Sequence, residues 1–131
     1  MVKSFKVNTA ILCEHALKFE NNKNTLINIY SGDILVSALP ALLYFGLYLE
    51  LQVPPHDDLD ISADIRVGGK TQFAVKATLM AGDTQPAANL LVPLFSLHIA
   101  DETEIKVLVS IPGQRAKTAL TKRILRAPDP Q

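Results

Sequence analysis

The chain has 131 residues, and thirteen Lys plus Arg balance thirteen Asp plus Glu, for a formal net charge of zero. One domain is the default at that length, and the neutral balance argues against a strongly basic nucleic-acid binder and against an acidic disordered chain. A hydrophobic fraction of 48% supplies a core, and one cysteine, Cys13, excludes an intrachain disulfide framework and a multi-cysteine zinc site.

Phe5 to Cys13 reads as a strand, with Val7, Thr9, Ile11 and Cys13 on one side, continuing raggedly to Phe19. Asn21-Asn22-Lys23-Asn24 is a turn cluster, and Thr25 to Tyr30 forms a short return strand around Ile27 and Ile29. The clearest period-two signal runs from Leu43 to Val53. Odd positions (Leu43, Phe45, Leu47, Leu49, Leu51, Val53) are apolar, while Tyr44, Gly46, Tyr48, Glu50 and Gln52 tolerate water. Pro54-Pro55 ends that strand.

Leu59, Ile61, Ala63, Ile65 and Val67 alternate with Asp60, Ser62, Asp64 and Arg66; Gly68-Gly69 then turns the chain into Phe73, Val75, Ala77 and Leu79. This is the most secure hairpin in the chain. Ala81 to Asn89 is a loop, and Leu90 to Ile99 a strand in which Pro93 marks an edge position or a bulge. Its first half is apolar on both faces: Leu90, Val92 and Leu94 on one, Leu91 and Phe95 on the other, so cover is expected on both. After a turn at Asp101-Glu102, Ile105, Val107, Val109 and Ile111 alternate, and Pro112-Gly113 turns the chain again. Residues 116–125 carry a helical spacing (Ala116, Ala119, Leu120, Arg123, Ile124) but also suit a closing edge strand, which we prefer. The expectation is an all-β, antiparallel β-sandwich of seven or eight strands over residues 1–126, with a flexible tail at 127–131.

Ala10-Ile11-Leu12-Cys13-Glu14-His15-Ala16, then Asn24-Thr25-Leu26-Ile27-Asn28-Ile29-Tyr30, then Leu39-Pro40 resemble a family of small bacterial proteins of unknown function. The resemblance covers roughly residues 7–80, with Gly32 where relatives often carry a glycine after the second strand. It implies a β-sandwich and brings no catalytic or cofactor-binding residues.

Several constellations invite chemistry. Cys13-Glu14-His15 places a thiol and an imidazole two apart on a strand, but Cys13 lies on the apolar phase, where free cysteine acts as a small hydrophobe. His56-Asp57-Asp58 with Asp60 and Asp64 is the best metal candidate; it lacks a D-x-D-x-D-G run, so a solvated polar loop is preferred. His15, His56 and His98 have no ligand spacing. Gly68-Gly69-Lys70-Thr71 sits between strands, not at a helix start, and so lacks phosphate-loop geometry. Arg115, Lys117, Lys122, Arg123 and Arg126 form a basic cluster without interleaved aromatics, read as a solvated face. Tyr44 and Tyr48 flank Gly46 and suit a contact platform.

The expected function is therefore non-enzymatic, through protein–protein contacts with a partner or a second copy, using Tyr44, Tyr48, Leu90, Val92 and Leu94; a small-ligand or carbohydrate-binding sandwich is the alternative. No catalytic residue, metal or cofactor is expected, and no nucleic-acid or membrane partner. The start of the chain leads into no long apolar run, so a cytoplasmic setting is expected.

Overall fold

The computed structural model describes residues 5–20, 23–52, 58–80 and 87–128. They form nine strands in two sheets: β1 (Lys6–Lys18), β2 (Asn24–Ile29), β3 (Ile34–Val36), β4 (Ala41–Gln52), β5 (Asp58–Val67), β6 (Lys70–Met80), β7 (Ala87–Ile99), β8 (Thr103–Ser110) and β9 (Lys117–Arg126). Sheet A has the order β2-β1-β4-β7 and sheet B the order β3-β9-β8-β5-β6. The all-β sandwich expected from the alternation is the fold observed. The additional strand is β3, whose three residues are too few to show a period; it pairs with β9 in parallel, while every other pairing is antiparallel. Residues 117–126 are the closing strand β9, not a helix.

Alternation places the core. Phe45, Leu47, Leu49 and Leu51 of β4 have no exposure, and they face Leu59, Ile61, Ala63 and Ile65 of β5 with Ile105, Val107 and Val109 of β8. Burying each Leu, Ile, Val or Phe side chain among them is worth about 1.5–3 kcal/mol. An aromatic file crosses this core. Tyr30 meets Phe45 at 5.6 Å, Phe45 meets Phe95 at 6.0 Å, and Phe95 stacks on Phe73 at 4.9 Å. At Gly68 and Gly69, φ is 58° and 85°, the left-handed pair that a two-residue hairpin between Val67 and Lys70 requires.

Register shifts interrupt the alternation at four places and correct the expected phases of β1 and β7. In β1 the shift between Val7 and Thr9 turns Val7, Ala10 and Leu12 toward the core, so Thr9 and Ile11 are not the core-facing set. In β7, Phe95 pairs with Phe45 but Val92 pairs with Leu47, leaving Pro93 and Leu94 as a bulge. The bulge reverses the phase: Leu90 and Val92 are buried, Leu94 is 51% exposed, and Phe95 is buried. Leu90, Val92 and Leu94 therefore do not share one face, and Leu91 and Phe95 do not share the other. The cover over Leu90 and Val92 is this chain's own core. In β9, Val107 pairs with Leu120 and Leu108 with Thr118, so Ala119 is the extra residue.

The fourth shift lies in β6, where Ile65 pairs with Phe73 and Arg66 with Thr71, leaving Gln72 out of the ladder. Its side-chain amide donates to the His98 carbonyl at 2.7 Å and accepts from the His98 N–H at 2.8 Å. Gln72 thus joins the edge strand of sheet B to the edge strand of sheet A and closes one side of the sandwich. Gln72→Ala is expected to cost about 1 kcal/mol, because both bonds are solvent-exposed. Urea unfolding checks this: the midpoint should fall with the slope unchanged.

Candidate functional site

Tyr44 and Leu42 stand two apart on β4, opposite Ser96 and His98 of β7. They point away from the core that Phe45 enters, and they are 55% and 54% exposed. The Pro93-Leu94 bulge adds Leu94 to this outer face. Ile27 and Ile29 of β2 are 39% and 52% exposed, and Phe19, directly after β1, is 53% exposed. Among the described residues, six of the seven large exposed apolar side chains thus belong to sheet A or to the residue after its strand β1; the seventh is Leu35 of β3. Sheet B has the opposite character: Asp60, Lys76, Thr78, Lys106, Thr121 and Arg123 lie exposed along its strands.

The outer face of β4 and β7 between Leu42 and Tyr48 also carries no Asp, Glu, Lys or Arg. Tyr48 sits half-buried in a row with Ile11 and Leu91, and its hydroxyl donates to Glu50 Oε2 at 3.1 Å. Burial first, and the Glu50 carboxylate second, push its phenol pKa above the ordinary value. Tyr44 and Tyr48 do not form one platform. They are four residues, about 13 Å, apart along the strand, and main chain closes in between them. A Cβ on Gly46 would lie 2.7 Å from Ala16 N and 3.0 Å from both His15 C and Pro93 O. Of the five residues expected at the contact surface, Tyr44 and Leu94 stand out in solvent, Tyr48 is half-buried, and Leu90 and Val92 are core. Leu42 was missed, because it precedes the alternating run read from Leu43.

The other constellations separate. The Cys13 thiol is fully buried and donates to the His15 carbonyl at 3.4 Å, so its bond is to the backbone of His15. Desolvation pushes its pKa up. A neutral thiol is a poor nucleophile, and native Cys13 should resist iodoacetamide at pH 7.5 while the urea-unfolded chain reacts at once; mass spectrometry reads both. A raised acid pKa adds stability that is complete below the unfolded thiol's value, about 8.5. It is lost as pH rises through the folded value, so the melting temperature should fall in alkali.

His56 and Asp57 lie outside the described residues. Asp60 accepts a hydrogen bond from Thr78 Oγ1 at 2.6 Å, and no cluster of three or more His, Cys, Asp or Glu exists among the described residues. Within the basic cluster, Arg123 forms a two-point bond to Asp33 at 3.1 and 2.7 Å. Lys117 donates to the Phe5 carbonyl at 2.6 Å, with its ammonium 4.4 Å from the Phe5 ring centre. Two open grooves lie elsewhere. One of about 410 Å³ lies between Asp60, Lys76, Thr78 and Pro112, and one of about 290 Å³ lies beside Gln72, His98 and Glu102. Neither includes a tyrosine.

No helix among the described residues is long and apolar enough to cross a membrane. Neither protein-family models nor curated proteins match the chain.

Proposed function

We propose that this chain is a non-enzymatic β-sandwich that acts through protein–protein contacts, and that the outer face of sheet A docks a second copy of the same chain. The observation that carries the reading is the charge-free apolar face centred on Leu42, Tyr44 and Leu94, opposed to a polar outer face on sheet B. Interface centres are depleted of charge and enriched in aromatic side chains. A face without charge meets its own copy without repulsion.

Leu42, Tyr44 and Leu94, with Ile27 and Ile29 of β2 and Phe19 after β1, present on the order of 600 Å², taking about 200 Å² for each whole side chain. Two copies would hide on the order of 1,200 Å², the lower bound of a standard interface. Pairing in the micromolar range follows, since area at that bound supports a weak, reversible dimer. A sugar or small ligand held between Tyr44 and Tyr48 has less behind it, because the main chain at Gly46 separates them. The single buried thiol suits a reducing, cytoplasmic compartment.

Static light scattering over a concentration series tests the reading. The mass should rise from that of the 14.3 kDa chain toward twice that value. A constant monomer mass up to several hundred micromolar would overturn the second copy as occupant, since pairing that weak has no use at ordinary protein concentrations.

A further inference from the structure

The outer edge of β9 is only partly covered. On one side β8 pairs with it from Lys117 to Ile124. On the other side β3 pairs only at Ile124, Leu125 and Arg126. Among the described residues no strand pairs with Lys117–Arg123 on that side, although β1 comes close to β9 and Phe5, directly before β1, accepts from Lys117. This open run is about 23 Å long at 3.3 Å per residue, and a bare edge presents unpaired N–H and C=O groups that can template another strand.

The charge along this run has one sign. Between Pro112 and Arg126 there is no acid, while Arg115, Lys117, Lys122, Arg123 and Arg126 are all basic, in a chain whose net charge is zero. Arg123 is held by Asp33, and Lys117 by the Phe5 carbonyl. Arg115 and Lys122 have no ion-pair partner among the described residues. β3 already shows how such an edge is met. It approaches β9 in parallel, and Asp33, directly before it, pairs with a β9 arginine.

We propose that the open edge of β9 takes up an extended acidic segment of a partner protein, which adds to sheet B as a further strand beside Lys117–Lys122. Backbone hydrogen bonds would give the affinity, and carboxylates opposite Arg115 and Lys122 the selectivity. A second copy does not fit this edge, because its cations would meet their own kind. The inference does not depend on the sheet A face, which lies on the other layer.

The test uses a fluorescein-labelled peptide, Glu-Thr-Val-Glu-Val-Thr-Glu, titrated with the whole protein and followed by anisotropy. Saturable binding is expected, weakening about tenfold between 20 and 200 mM salt. The double variant Arg115→Glu, Lys122→Glu should bind at least tenfold more weakly with an unchanged melting temperature, and the Lys-for-Glu peptide should not bind. In the complex, amide exchange of residues 118–122 should slow. Equal affinity for the double variant, no saturation below 1 mM, unchanged exchange at 118–122, or binding of a dT20 oligonucleotide in place of the peptide would each overturn the proposal.

Discussion

Gly46→Val will unfold the protein or nearly so, with an expected loss of about 3 kcal/mol or more. The reason is space. Any Cβ at this position would lie 2.7 Å from the Ala16 amide nitrogen, and 3.0 Å from a carbonyl carbon of β1 and a carbonyl oxygen of β7. All three are main-chain atoms, so no side chain can swing aside to make room. Gly46 closes the β1–β4 ladder opposite Cys13, and it is the residue skipped where the β4–β7 register shifts. One intruding methyl group on β4 would therefore press on both of its neighbours in sheet A, β1 and β7, together. Gly46→Ala should cost less than valine but still about 2 kcal/mol. Urea unfolding monitored by circular dichroism gives both values, and an alanine variant as stable as the parent would show that the three strands do not converge there.

Two neighbouring substitutions in β7 should differ by about 4 kcal/mol. Phe95 is 5% exposed and is the hub of the aromatic file, 6.0 Å from Phe45 and 4.9 Å from Phe73. Phe95→Ala empties the space between the sheets, for which about 3–5 kcal/mol is usual. Leu94 precedes it and is 51% exposed, so Leu94→Ala should change monomer stability by less than about 0.5 kcal/mol. Unbroken alternation from Leu90 would predict the reverse, with Leu94 inside beside Val92. Thermal melts of the two variants decide between the registers.

That contrast shows what could be read from the residues alone. β4, β5 and β8 keep a strict period of two, and their core faces are the faces that alternation picks out. The Gly68-Gly69 hairpin is legible because its conformation is a local requirement. Bulges have no period, and each one misleads a reading by phase. Ala119, the extra residue in β9, sets two partly buried residues side by side at Ala119 and Leu120, and this produces the helical spacing of 116–125. Pro93 pointed to a bulge at the right place, but the size of the phase change is fixed by how β7 meets Gly46. The exposed apolar face of sheet A was legible in part for the same reason. Tyr44 lies on an uninterrupted strand, whereas Leu90, Val92 and Leu94 straddle the bulge. The open edge of β9 could not be seen at all, because it depends on how far β3 reaches.

If the outer face of sheet A joins two copies while Leu90 and Val92 serve the monomer core, Tyr44→Lys and Val92→Lys should part company when solution mass and melting temperature are measured together by sedimentation equilibrium and calorimetry. Tyr44→Lys should be monomeric at concentrations where the parent is dimeric, and its melting temperature extrapolated to low concentration should match the parent's. Val92→Lys should lose several degrees or fail to fold, because it buries an unpaired charge. A Tyr44→Lys protein that dimerises like the parent, beside a destabilised Val92→Lys, would contradict the claim and leave the exposed face of sheet A without a second copy to cover it.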